Sequence, residues 1–368
     1  MVDGRFLSQD PLPQPQRYAY VNDNPANLID PSGLCGIGHP VQCAQNAGGA
    51  ISSGTQPPTL TTNVRLPSPA SPATLPTMSV AIVTDSTACI PPELAERLGI
   101  EIVPLHLIFG GRTFVDSLTT DTSEFYELLR TSNDRPTTAA PSPGMFIDAI
   151  ARAGRRADAV LCITVSKQFS AMYDSARHAI EMVQAETPDL NIHLLDSRNA
   201  AMAQGFVVVE AARAAAAGGS MTGVLARAEA MTTQVTLLAM LDTLTYLARG
   251  GRVPRAAAWA AGMLQVKPIV RFSASDIRLV ARTRTRHRAL DRMAELLEEM
   301  ADGRELHLAV HHANAPDDAR YLLAAVERRL RLAETYVTEF TQVMGVHTGP
   351  GLVGLAWWPE PASSGDAL

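Results

Sequence analysis

No apolar stretch in this chain approaches the roughly 20 residues that a bilayer-spanning helix needs. Its first residues, MVDGRFLSQDPLPQ, also lack the apolar core of a signal peptide. No integral membrane segment is expected, and the second half of the chain reads as cytoplasmic. Basic charge is scarce: 31 Lys and Arg against 37 Asp and Glu leave a formal net charge of -6. The basic footprint that phosphate backbones require is missing, so nucleic acid is not an expected partner. One basic run, Arg278 to Arg288 (RLVARTRTRHR), goes against that average. It fits a solvated strand and helix start, or a docking surface for an acidic protein. The four cysteines, Cys35, Cys43, Cys89 and Cys162, are too scattered for a CxxC metal knuckle or redox pair. Cys89 and Cys162 sit in apolar surroundings and read as core residues. Cys35 and Cys43 would pair only in an exported chain.

Catalytic signatures are missing as well. There is no GxSxG elbow, no GxxxxGK[ST] phosphate loop, no GxGxxG and no HExxH. Ser170 and His347 are the one conceivable hydrolase pair, yet no acid at recognisable spacing would orient the imidazole. His307 and His311 alternate onto one face of a strand. Two histidines without a carboxylate nearby read as structural rather than as metal ligands. The expectation is a non-enzymatic protein without metal or cofactor.

What the 368 residues do contain is enough apolar material, 46%, for two ordinary domains and something more. Residues 1–34 read GRFLSQDPL and then RYAYVNDNPANLIDPSGL. Asn22, Asp23 and Asn24 supply turns, and Asp30-Pro31-Ser32-Gly33 ends the segment, so it reads as short β-hairpin material. The pair of motifs resembles the closing segment of the Rhs (YD-repeat) core found upstream of variable domains in polymorphic toxins. Such a unit buries its apolar face only against neighbouring repeats, and none is present here. Residues 35–77 are rich in Pro, Ser, Thr, Gly and Ala and read as a flexible linker.

From Ser79 the pattern changes. Apolar runs of strand length alternate with amphipathic stretches: Val80–Thr84, a helix from Pro91, Ile102–Phe109, a helix near Ser123–Arg130 and a helix from Pro143. Strand Ala159–Val165, helix Ala171–Ala185, strand Ile192–Asp196 and an Ala-rich helix after Asn199 follow. Continuous apolar strands separated by helices imply an α/β domain, 78–235, with a parallel sheet covered on both faces. After it, VTLLAML, VKPIVRF, IRLVART, HLAVHHA, TYVTEFT and LVGLAWW alternate more clearly. With helices at Leu290–Met300 and Asp317–Leu332, they imply a smaller α+β domain, 236–358, with a mainly antiparallel sheet. Residues 359–368 read as a disordered tail.

Four loops carry groups suited to an anion. Thr84-Asp85-Ser86-Thr87 follows the first strand and is equally an ordinary helix cap. In PTTAAPSP, Ser142 is the expected N-cap and Pro143 the first helical residue. After strand Ala159–Val165 comes SKQFSAMY, where Ser170 would cap a helix whose free N–H groups favour a negative charge. Gly345-Val346-His347-Thr348-Gly349-Pro350-Gly351 reads as a Gly-rich turn exposing one imidazole.

Together these runs, VAIVTDSTACIPPELAERLGIEIVPLHLIFGGRTFVD, RPTTAAPSPGMF, SKQFSAMYDSA, DSRNAAMAQG, YLARGGRV, LQVKPIV and GVHTGPG, resemble the DegV family in family order, from about Met78 to Trp358. The resemblance implies a two-domain fold that holds one long-chain fatty acid in a tunnel and presents its carboxylate to a separate fatty-acid kinase. It assigns the carboxylate to Thr138, Ser170, the backbone N–H of Ala171 and His347. Asp85, Ser86, Thr87 and Gly349 fall at the pocket mouth, and Arg282 where a basic residue docks the kinase. The chain departs from the family at Ala139-Ala140, Ala171, Met172, Ala201 and Ala203. A methyl at Ala171 is expected to face a tight turn that favours glycine. A changed pocket mouth, with altered chain preference or affinity, is the expectation.

The physics fits that division of labour. Neutral hydroxyls and a helix N-terminus hold a carboxylate without a fixed charge. A tail of about fifteen methylenes, at roughly 0.8 kcal/mol each, offers on the order of 12 kcal/mol before costs. A lipid-binding monomer is the leading expectation. The alternatives are the effector domain of an Rhs toxin with the same fold, or a weak serine hydrolase.

Overall fold

The computed structural model describes residues 78–360, apart from 119–121, 133, 135, 140, 254, 261–265 and 275. The Rhs-like segment, the linker with Cys35 and Cys43, and residues 361–368 lie outside the described residues.

The first half contains strand β1 (Met78–Asp85), helix α1 (Pro92–Arg97) and strands β2 (Glu101–Val103), β3 (His106–Phe109) and β4 (Arg112–Val115). Helix α2 (Ser123–Thr131), strand β5 (Thr137–Ala139), helix α3 (Pro143–Gly154), strand β6 (Ala157–Thr164) and helix α4 (Met172–Glu186) follow. Strand β7 (Asn191–Asp196) and helices α5 (Ala201–Ala216) and α6 (Met221–Gln234) complete it. Four strands pair in the order β2-β1-β6-β7, all parallel, as continuous apolar runs between helices require. The run Ile102–Phe109 is not one strand. It divides at Pro104, which has no N–H to give a ladder, and β3 joins a separate antiparallel sheet in the order β4-β3-β5.

The second half contains strand β8 (Thr236–Met240), helices α7 (Thr245–Gly250) and α8 (Arg255–Ala260), strands β9 (Lys267–Ser273) and β10 (Asp276–Thr283), and helix α9 (Arg286–Ala301). Strand β11 (Leu306–His312), helix α10 (Pro316–Glu327), strand β12 (Leu332–Glu339), helix α11 (Gln342–Thr348) and strand β13 (Val353–Pro359) end it. Its six strands run β10-β9-β8-β13-β11-β12, antiparallel except for β11 with β12. The helix expected to reach Leu332 stops at Glu327. The residues from Leu332 onward alternate between half-buried and exposed with the period of an edge strand. Strand β13 extends to Pro359, and the Glu360 N–H bonds to the Glu305 carbonyl, so order passes the expected boundary at 358.

Alternation along β8 divides the second half into two cores. Leu238 and Met240 pack with α9 and α10, whereas Leu237, Ala239 and Leu241 face the first half. Helix α5 is buried nearly all round because it lies between layers, touching β1 and α6 on one side and β13 on the other. A Cβ at Gly205 would stand 2.8 Å from the Ala88 carbonyl oxygen, so glycine lets α5 approach the turn after β1.

Candidate functional site: a cavity between the two sheets

A cavity of about 290 Å³ opens where the parallel-sheet layer meets the cavity-facing side of the six-stranded sheet. Leu237, Ala239 and Leu241 form its floor, with Phe272 from β9 beside them. Helix α11 forms one wall through Val343, Met344, His347 and Thr348, a spacing that lies on one helical face. Phe340, just before that helix, closes the wall. The polar side chains of the lining are Thr87, Thr138, Ser170, Arg252, His347 and Thr348, and Thr138, Arg252 and His347 also line a neighbouring groove.

Each is placed by identifiable bonds. Thr138 sits on β5, opposite Leu107 of β3. The Ser175 hydroxyl of α4 donates to the Pro141 carbonyl oxygen at 2.6 Å, which ties the segment after β5 to the start of α4. Thr138 and Ser170 are thereby held at one cavity. Across it, Thr138 Oγ1 and His347 Nε2 are 3.2 Å apart. His347 is not on an exposed turn, as its glycine-rich surroundings suggested, but in the last turn of α11 and half-buried. Burial, and then the Arg252 cation, push its pKa down to about 4, so the imidazole is neutral at neutral pH.

Helix α11 is itself pinned by Asp116. The Val343 N–H donates to Asp116 Oδ1 at 2.8 Å, and the Ser86 hydroxyl donates to Oδ2 at 2.6 Å. The carboxylate thus joins the loop after β1 to the N-terminus of α11. On the opposite flank, Gly345 packs directly on the Tyr126 ring, whose hydroxyl donates to the Phe340 carbonyl oxygen at 3.0 Å.

Ser170 does not cap α4. Ala171 stands at the N-cap, and the Ser170 side chain makes no hydrogen bond among the described residues. Ala171 lies at φ -77° and ψ 12°, a negative φ that does not call for glycine, so its methyl meets no left-handed turn. Of the expected mouth residues, Thr87 lines the cavity, and Asp85, Ser86 and Gly349 do not. Asp85 is fully buried and caps the 3-10 turn after β1. It accepts from the Thr87 N–H at 3.1 Å, from the Val165 N–H at 2.8 Å and from Gln204 Nε2 at 3.2 Å. Its role is to hold strand ends together, and burial raises its pKa despite those donors. Gly349, at φ +80°, ends α11 where any Cβ would run into the Tyr246 ring. Arg282 is exposed on β10, the edge strand, away from the cavity lining.

Arg252 was not singled out by sequence, although it is the penultimate residue of the run YLARGGRV. It lines the cavity and donates to the Gly250 carbonyl oxygen at 2.7 Å. A more polar groove of about 680 Å³ shares Thr138, Arg252 and His347 with the cavity and adds Arg130, Arg249 and Asp134. Asp116, Phe340 and Val343 also escaped notice; Asp116 ends the run GGRTFVD, where nothing local marks it as a clamp.

As a hydrolytic pair, Ser170 and His347 lack a third member. The free nitrogen of His347, Nδ1, is buried without a partner among the described residues, and no carboxylate orients it. His307 does have carboxylates beside it, contrary to expectation: Glu334 at 2.7 Å and Glu360 at 2.6 Å. Even so, no group of three or more His, Cys, Asp or Glu side chains among the described residues is arranged to hold a metal ion. Cys89 and Cys162 are buried and free, as core residues. No helix among the described residues is long and apolar enough to cross a membrane.

Comparison with known proteins agrees with this architecture. Residues 79–360 match the family model described as "Uncharacterised protein, DegV family". Protein DegV of Bacillus subtilis is 34% identical over 282 residues, covering 76% of this chain and 99% of the relative. A DegV domain-containing protein of Streptomyces coelicolor is 35% identical, covering 75% and 97%. Among solved structures, a fatty-acid-binding DegV family protein from Thermus thermophilus superposes with a TM-score of 0.71 at 27% identity, covering 77% of this chain and all of its own. DegV of Bacillus subtilis, described as a fatty acid binding protein, superposes with a TM-score of 0.67 at 33% identity, with the same coverage. On the fold, the family match and these relatives, the chain belongs to the DegV family.

Proposed function

We propose that this chain binds one long-chain fatty acid, with its tail along Leu237, Ala239, Leu241, Val343 and Phe340. Its carboxylate would meet the Thr138 and Ser170 hydroxyls, the Ala171 N–H and the His347 imidazole. The observation that carries the reading is the make-up of the cavity: a mostly apolar lining in which Thr138, Ser170 and His347 supply neutral donors beside the Arg252 cation. Neutral hydroxyls, a helix N-terminus and an uncharged imidazole solvate a carboxylate while leaving it exchangeable. Two relatives of this fold are described by their fatty-acid binding, which supports the same ligand class here.

The groove that shares Thr138 and His347 leaves the head group reachable from outside. That supports presentation of the carboxylate to a separate fatty-acid kinase in the cytoplasm, with exposed Arg282 on β10 as part of the docking surface. In this reading the chain is a monomeric carrier and performs no chemistry itself.

Mass spectrometry of lipid extracted from the purified chain, with uptake of added palmitate and oleate, tests the ligand. Recovery of a fatty acid, or saturable uptake, is expected; neither occurring would overturn the reading. For the head-group site, the double variant Thr138→Ala, Ser170→Ala is expected to weaken binding by about tenfold or more, two hydrogen bonds to a charged group being lost. Unchanged affinity would refute the assignment.

A further inference from the structure

The cavity-facing side of the six-stranded sheet carries a buried polar side chain that neither the head-group site nor any hydrogen bond among the described residues uses. His311 of β11 is fully buried, and neither ring nitrogen has a hydrogen-bond partner among the described residues. Burial pushes its pKa down to about 3, so the ring is neutral, with one N–H donor and one acceptor. Buried polar groups normally find partners, and one left without any costs stability.

Its position in the sheet is next to the cavity. Cross-strand register puts His311 opposite Gly354 of β13, and Gly354 opposite Ala239 of β8. Residues opposite one another share a face, so Ala239, Gly354 and His311 form one row. Ala239 lines the cavity, and so does Leu352, two residues before Gly354. Gly354 contributes no side chain between them. A Cβ there would stand 3.5 Å from His311 Cδ2 and 3.7 Å from the Ala239 Cβ. The neighbour on the other side, Thr338, is committed, its hydroxyl donating to the Cys89 carbonyl oxygen at 3.0 Å. Toward the cavity stands Phe340, which lines it and meets His311 edge-on, ring centroids 5.3 Å apart at 61°. Phe340 stands just before the start of α11, whereas His347 lies in that helix's last turn.

We propose that His311 is a subsite for a hydroxyl carried part-way along the acyl chain, reached when the Phe340 ring turns aside. The preferred ligand class is then a hydroxylated fatty acid. This rests on the fatty-acid reading above and extends it. The imidazole has both a donor and an acceptor, which a hydroxyl complements, whereas an unsubstituted methylene complements neither. A plain chain leaves Phe340 where it is.

The test is a binding series on the full chain: stearate against hydroxystearates whose hydroxyl steps along the chain. The expected result is one or two adjacent hydroxyl positions binding about tenfold tighter than stearate, with positions near the carboxylate binding no better. In His311→Leu the ratio of hydroxystearate to stearate affinity is expected to collapse toward or below unity, and His311→Gln should restore part of it. Stearate binding with no position-dependent gain overturns this proposal and leaves the fatty-acid reading standing; binding of neither acid overturns that reading instead. If His311→Leu fails to fold, judged by circular dichroism, the wild-type series decides alone: a flat profile refutes, and a peaked one supports.

Discussion

Replacing Ala239 by leucine separates a tail-binding floor from an ordinary core position. Ala239 lies on the cavity floor and is 2% exposed. Leucine adds three carbons on the cavity side. If a bound tail reaches that floor, those carbons displace about three of its methylenes, at about 0.8 kcal/mol each. The longest acid that fits the wild type should lose about 2.4 kcal/mol, roughly sixtyfold in Kd. An acid shorter by about three carbons should lose almost nothing. The ligand-free protein should respond with the opposite sign. A cavity of about 290 Å³ accommodates the extra carbons, and their burial should stabilise the fold by up to about 2 kcal/mol. Displacement of a fluorescent fatty acid by a ladder of saturated acids from decanoate to stearate measures the first effect, and thermal unfolding of delipidated protein the second. A loss equal at every chain length would place the perturbation at the head group or in the fold at large. A drop in melting temperature would mean that the floor is close-packed core. Either outcome would refute the reasoning.

Three further outcomes follow from the charged groups that hold the layers together. Burial raises the Asp116 pKa to about 6, against the donors Ser86 and Val343; being raised, it favours the fold fully below pH 3.8, and about 3 kcal/mol is lost as pH rises through 6. Urea midpoints measured across that window should fall in the wild type and stay flatter in Asp116→Asn; identical slopes would refute the coupling. For His307, burial works against protonation, but the Glu334 and Glu360 hydrogen bonds outweigh it and raise the pKa above 6.5. Its stabilisation is therefore complete below pH 6.5 and lost as pH rises through the folded pKa, a slope that His307→Gln should abolish in melts between neutral and alkaline pH. Arg213 bridges α5 to β12 through Glu334 at 2.6 Å and also holds Glu210 at 2.8 Å. Partial exposure tempers the loss expected of Arg213→Ala to about 2 kcal/mol by urea unfolding; less than about 0.5 kcal/mol would show the bridge to be cosmetic.

The legible parts of this molecule are those whose causes are local. The parallel layer could be read because Val80–Val83 and Val160–Ile163 are unbroken apolar runs, and only a sheet covered on both faces explains such runs. Where a short segment depends on distant partners, the sequence misleads. Thr137–Ala139 looks like loop, yet it becomes a strand because β3 is there to pair with it. The helix expected to reach Leu332 fails because β11 recruits that stretch as its parallel neighbour. The small helices α7, α8 and α11 lack length enough for a periodic signal, although two of them carry or flank Arg252 and His347.

The same division runs through the site. Thr138, Ser170 and His347 were each visible as residues suited to an anion, but only the family resemblance placed them at one ligand. Nothing in the local pattern says that position 138 meets position 347. In the structure that meeting depends on Asp116, which takes the Ser86 hydroxyl 30 residues upstream and the Val343 N–H 227 residues downstream. Asp116 touches no cavity space, so neither composition nor motif would nominate it. His311 is the inverse case. Its alternation with His307 was readable, and so was its face, but its significance lies in partners it does not have. One histidine of that pair is saturated by two carboxylates and the other by none. Period-two alternation assigns both to one face; tertiary packing alone decides that the first is a strut and the second stands next to a cavity.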